Sequence, residues 1–221
     1  TAVHARQLSY EGPFGVGYGV CVYESKGEDA HRDFLAQHIR ELKKTIDARR
    51  GREDAYVRLA RRSVEHYVRH GTSCARPADL PAEMRQSAGV FVSLKQEGQL
   101  RGCIGTITAQ QHDIAQEIIA NAISACSSDP RFPPVSEAEL DTLEYSVDVL
   151  GEPQRIASEA ELDVRRYGVI ASDGYRRGLL LPDLDGIDTP AEQVRIARKK
   201  GGIAENAKDI TLARFEVVRH H

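Results

Sequence analysis

Asp173-Gly174 lies between two strand-patterned runs, Tyr167–Ser172 and Tyr175–Leu181, and is the strongest tight-turn signal in this chain of 221 residues. A turn that short makes its flanking strands antiparallel neighbours, because a parallel pair needs a crossover of about a dozen residues or more. A second hairpin pattern joins Ala88–Lys95 to Gln99–Ile107 through Gln96-Glu97-Gly98. Leu143–Leu150 alternates at period two, with Leu143, Tyr145, Val147 and Val149 on one face and Glu144, Ser146 and Asp148 on the other. Thr211–Val218 reads as a final strand. Phe14–Tyr23 reads as a first one, with Phe14, Val16, Tyr18, Val20 and Val22 on one face and Gly15, Gly17 and Gly19 between them.

Helical spacing fills the intervals. Leu35, Ile39, Leu42 and Ile46 form an apolar stripe on a helix over about Ala30–Ala48. A second helix spans about Glu53–His70, with Gly71 where a left-handed cap belongs. A third covers about His112–Ser127. The last opens at Thr189-Pro190-Ala191-Glu192, a capping-box sequence with proline at the first helical position, and ends at Gly201-Gly202. Hairpins mixed with helices, without regular βαβ alternation, predict an α+β fold with a mainly antiparallel sheet. Arg49-Arg50-Gly51-Arg52 reads as a linker. The chain therefore divides into a strand-helix appendage, residues 1–48, and a main domain, residues 49–221.

Composition removes several function classes. Net charge is −3 and the chain has few aromatics, so the balance disfavours nucleic acid and anionic membrane as partners. No apolar run approaches the ~20 residues of a membrane helix. Cys21, Cys74, Cys103 and Cys126 are widely spaced, which predicts free thiols in a reducing, cytoplasmic compartment. His66 and His70 have the spacing of two metal ligands but no Glu between them, so they read as a surface pair. No metal site, cofactor motif, phosphate loop or serine nucleophile elbow is expected. Arg58, Arg61, Arg62 and Arg69 read as a solvated helix face.

Leu100-Arg-Gly-Cys-Ile-Gly105 resembles the signature of the AMMECR family. Asn121-Ala-Ile-Ser-Ala125, Asp129-Pro-Arg-Phe-Pro-Pro134, Tyr145-Ser-Val-Asp-Val-Leu150 and Tyr175-Arg-Arg-Gly-Leu-Leu-Leu-Pro182 resemble further family segments in the family's order. The resemblance covers about Asp54–Arg219. It implies a two-lobed α+β domain with a cleft and no agreed activity, working alongside Memo-like and radical-SAM proteins in some bacteria. Tyr10–Tyr18 is similar to the closing strand of Memo-like proteins, which share the class III extradiol dioxygenase fold. That likeness implies a fragment of a fusion. The histidine-rich metal site of the dioxygenase fold has no counterpart here.

Strand alternation predicts Arg101 and Cys103 on one face, with Leu100, Gly102 and Ile104 on the other. A neighbouring arginine would favour the thiolate. Gly102 and Gly105 would admit a ligand or another backbone. A free cysteine also often just fills space. Asn121 falls on the core-facing stripe of the third helix, where it would either tie down a loop or face a ligand. Arg131, held by the prolines around it, suits a carboxylate or phosphate, or an internal ion pair. Either Arg176 or Arg177 would line a cleft. These residues predict a binding or adaptor module whose cleft takes a small anionic ligand or a partner segment. The alternative is a thiol-dependent enzyme with Cys103 as nucleophile or redox centre and Arg101 stabilising charge. Its weakness is the lack of a base, His112 being the nearest histidine in sequence. Phe14–Tyr23 is predicted to pair with an edge of the main sheet or with a second copy, giving a homodimer through residues 14–23.

Overall fold

The structure is a computed structural model that describes residues 2–12, 17–27, 33–204, 206–207 and 209–221. It forms two compact units, residues 1–48 and residues 49–221.

In the first unit β1 (Val3–Glu11) pairs antiparallel with β2 (Tyr18–Ser25), and α1 (Phe34–Arg50) begins beyond it. The strand expected over Phe14–Tyr23 is thus found from Tyr18 onward, while residues 14–16 lie outside the described residues. Its ladder partner corrects the expected addition to the main sheet. It closes a two-stranded hairpin with Val3–Glu11, a segment whose polar pattern gives no strand signal. None of the described residues of β1, β2 or α1 is buried.

The second unit holds two four-stranded antiparallel sheets instead of one. α2 (Ala55–His70) is capped by the Asp54 carboxylate at its start and by Gly71, φ 68°, at its end. β3 (Val90–Gln96) and β4 (Gln99–Gly105) turn at Glu97 and Gly98, both at positive φ. α3 (Ile114–Ser127) follows with Asp113 as N-cap, then β5 (Leu143–Leu150). β6 (Gln154–Ile156), β7 (Gly168–Ser172), β8 (Arg177–Leu180), α4 (Pro190–Lys200), β9 (Thr211–Phe215) and β10 (Val217–His220) complete the chain.

The first sheet has the order β10-β5-β3-β4 and the second β6-β9-β7-β8. α2 and α3 cover one face of the first sheet, over a core including Val57, Val64, Val92, Leu94, Ile118 and Val147. α4 covers β7 and β8 over Val169, Leu180, Val194 and Ala197. A third, smaller core of Leu150, Ile170, Leu179 and Phe215 lies where the two lobes meet. The predicted final strand is in fact two. β9 belongs to the second sheet and β10 to the first, with Glu216 between them. Gly151, just after β5, donates its N–H to the Glu216 carbonyl at 2.9 Å, so the chain's two crossings between lobes lie side by side.

Candidate functional site

The uncovered face of the first sheet forms the floor of a cleft of about 570 Å³. Register sets its rows. Cys103, Ser93 and Ser146 lie side by side on β4, β3 and β5, and Gly105, Phe91, Asp148 and Arg219 form the next row across to β10. The facing wall comes from β8 and the residues after it, with Leu179, Leu181, Leu184, Asp185 and Arg177, and Lys200 arrives from the end of α4.

A bulge decides which side chains reach this cleft. Lys95 pairs with Leu100 and Leu94 with Gly102, so Arg101 is the extra residue. The slip puts Leu100 on the cleft face with Cys103 and Gly105, and turns Arg101 away. The expected common face of Arg101 and Cys103 is therefore corrected. The Arg101 guanidinium donates to Glu139 at 2.7 Å and to the Pro133 carbonyl at 2.9 Å. That partnership pulls the Glu139 carboxyl down to about 2. Arg101 also acts on Cys126, whose thiol burial pushes up to about 11 and Arg101 only partly restrains.

Arg131 takes the place beside Cys103. Asp129 is 4% exposed and accepts from Arg131 Nε at 2.9 Å, from Arg131 Nη2 at 2.7 Å and from the Cys103 backbone N–H at 2.9 Å. Arg131 Nη2 also donates to the Cys103 carbonyl at 3.0 Å. The outward-pointing N–H and C=O of Cys103 are thus satisfied by one ion pair, as a neighbouring strand would satisfy them. The Arg131 guanidinium and these backbone donors hold the Asp129 carboxyl far below the usual carboxylate range. On the sulfur side, the Ser93 hydroxyl donates to Cys103 Sγ at 3.2 Å. Lys200 keeps an exposed position at the cleft. Partial desolvation there lowers its ammonium, Cys103 opposes that shift and Arg131 adds to it.

The remaining predicted residues divide. Gly105 and Arg177 line the cleft. Gly102 faces α3, where a Cβ would meet the Ala125 carbonyl oxygen at 2.3 Å, so its smallness serves helix packing. At Gly105 the Phe91 ring already occupies the Cβ position, at 2.2 Å. Asn121 is buried and donates to the Val90 carbonyl at 3.0 Å. It belongs to the α3 side, and the shared neighbourhood expected for Cys103, Asn121 and Arg131 reduces to Cys103 and Arg131. Arg176 donates to the Gly202 carbonyl and ties its turn to the end of α4. His112 is exposed beside Asp113, outside the cleft. His221 lines the cleft, but it lies across the sheet from Cys103, roughly 14 Å away at three strand spacings.

Sequence reasoning passed over Asp129, Ser93, Ser146, Arg219 and Lys200. Asp129 was the findable one, because an Asp two residues before a held Arg is a ready partner for it. Among the described residues no group of three His, Cys, Asp or Glu side chains is placed to hold a metal ion. No helix among them is long and apolar enough to cross a membrane.

Residues 57–220 match the AMMECR1 family model. The chain belongs to the AMMECR1 family. A Clostridium acetobutylicum protein, CA_C1420, is 46% identical over 215 residues, which is 96% of this chain and 45% of that protein. This AMMECR1 chain therefore spans less than half the length of that relative. A Thermotoga maritima protein is 48% identical over 170 residues, 76% of this chain and 98% of that one. The crystal structure of the uncharacterized protein PH0010 from Pyrococcus horikoshii superposes with a TM-score of 0.69 at 33% identity, covering 74% of this chain and 88% of that chain. AMMECR1 relatives thus occur in archaea as well as bacteria, and the α+β architecture is shared with a solved family member.

Proposed function

We propose that this AMMECR1 domain is a cytoplasmic binding or adaptor module whose inter-lobe cleft holds an anionic group of a small ligand or partner segment. The observation that carries the reading is Arg131, fixed by Asp129 and by the Cys103 carbonyl, with Lys200 lining the same cleft. A pre-positioned guanidinium beside a second cation costs little to organise around an anion. The thiol-enzyme alternative has weaker support. Arg101 is committed to Glu139, and no histidine lies within proton-transfer reach of Cys103 among the described residues. The test is alkylation of the whole native chain with iodoacetamide, mapped by peptide. Inorganic phosphate or acetate should slow labelling of Cys103 and leave the exposed Cys21 unaffected. Identical Cys103 labelling with and without both anions would refute the reading.

A second observation bears on partners. Leu8, Tyr10, Tyr18, Tyr23, Phe34 and Leu35 of the first unit are each more than half exposed. An apolar surface of that kind marks a docking element. The partner proposed for it is the Memo-like domain implied by the resemblance of Tyr10–Tyr18, in a system that also uses a radical-SAM protein. The support is that the match to CA_C1420 covers 96% of this chain yet 45% of that protein. A homodimer through residues 14–23 is the competing occupant of the same surface.

A further inference from the structure

The two walls of the cleft differ in chemistry, and that difference narrows the ligand. One side carries the cations beside Cys103. The other carries Leu179, Leu181 and Leu184, faced across the cleft by Leu100, which is 40% exposed. We propose that the cleft takes a carboxylate bearing an apolar aliphatic or aryl body, with the carboxylate at Arg131 and Lys200 and the body along Leu100, Leu181 and Leu184. The proposal rests on the anion-binding reading above and adds the body.

Charge bookkeeping fits one negative group. Arg219 is paired with Asp148, Arg131 with Asp129, and Asp183 with Arg165. Lys95, Arg177 and Lys200 remain without an ion pair among the described residues, against Asp185. The cleft therefore presents a modest positive excess, not the dense cationic cradle a polyphosphate needs. Its volume of about 570 Å³ is far larger than an inorganic anion fills and lies in the range of small-molecule sites. A nucleotide base would want an open aromatic face and several hydrogen-bonding edges. Of the two aromatic rings in the lining, Phe91 packs on Gly105 and His221 lies across the sheet from the cations beside Cys103, and the Ser93 hydroxyl is committed to Cys103. An extended peptide adding to β4 would need the outward N–H and C=O of Cys103, which Asp129 and Arg131 already occupy. Leucines beside unpaired cations are what an amphipathic acid uses.

The experiment is a chain-length series of acetate, hexanoate, octanoate and decanoate below micelle-forming concentrations. The readout is iodoacetamide protection of Cys103, with Cys21 in the first unit as internal control for non-specific association. Burial of each added methylene should tighten protection about fourfold until the cleft is filled. Lys200→Gln should weaken every acid by about tenfold. Leu100→Gln, at a partly exposed strand position, should weaken decanoate while leaving acetate unchanged. Equal protection by acetate and decanoate would overturn the apolar body and leave the anion site standing. Protection that grows with chain length yet survives in both variants would place the acids elsewhere and overturn the proposal. If neither these acids nor phosphate protects Cys103, the anion-binding reading fails with it.

Discussion

Replacing Asp129 with Asn keeps the side chain's shape and removes its charge. Asp129 is 4% exposed and its carboxylate accepts four hydrogen bonds, from Arg131 Nε, Arg131 Nη2, the Arg131 backbone and the Cys103 backbone. An amide offers one acceptor oxygen, and its NH₂ group would face the guanidinium donor to donor. The Arg131 side chain is 52% exposed and so regains water when released, which limits the loss. The net cost is about 2–3 kcal/mol. For a chain of this size that lowers Tm by roughly 5–10 °C. The pH dependence has a definite sign. The folded carboxyl lies below its unfolded value of about 3.9, so its contribution is complete well above that value and declines as pH falls below it. Between pH 7 and pH 3 the gap between native chain and Asp129→Asn should narrow by about 1 kcal/mol. Urea unfolding at both pH values measures it. A gap under about 0.5 kcal/mol at pH 7, or one unchanged at pH 3, would refute the assignment of Asp129 as the anchor of the Cys103 edge.

Two further outcomes follow from the same geometry. Arg101→Ala should destabilise the domain by about 1–3 kcal/mol by stripping Glu139 and two proline carbonyls of their donor, yet leave the Cys103 alkylation rate unchanged; a slower Cys103 would restore Arg101 as its activator. For the first unit, with no described residue of its strands and helix buried, amide exchange across residues 18–25 should be far faster than across β3 and β5, and sedimentation should show a monomer. A dimer that Ile39→Asp dissociates would instead give that surface to a second copy.

Much of the fold was legible because local chemistry and tertiary structure agree. Leu143–Leu150 is found with its predicted bounds, and alternation and burial coincide from Leu143 to Val147. Gly71 caps α2 at φ 68°, and Thr189 caps α4 through the Glu192 N–H. Legibility ends where pairing, not pattern, decides. β6 is three residues long and carries no periodic signal. Arg214-Phe215-Glu216-Val217 holds neither Gly nor Pro, so nothing local announces that β9 and β10 belong to different sheets. The move between lobes is fixed by the Gly151–Glu216 bond and by Phe215, whose ring sits where a Cβ on Gly168 would be.

The site shows the same division more sharply. Cys103 and Arg131 share a neighbourhood because the β4 edge leaves an N–H and a C=O that some group must satisfy, and a short, proline-stiffened loop delivers that group. Arg101 was misassigned because alternation assumes an unbroken ladder, and one inserted residue at the turn end of β4 reverses the faces beyond it. Of the two readings of Asn121, the internal tie and not the ligand contact is what its hydrogen bond fits, because a buried polar side chain on a helix satisfies itself wherever a carbonyl is in range, here on the covered side of the sheet. Lys200 lies about a hundred residues from Cys103 in sequence, at the end of a helix whose register is set by Gly178 and Gly201 in close backbone contact. Substituting either glycine would push α4 away from β8 and carry Lys200 with it. The charge of the cleft thus depends on a packing contact that contains no charged group.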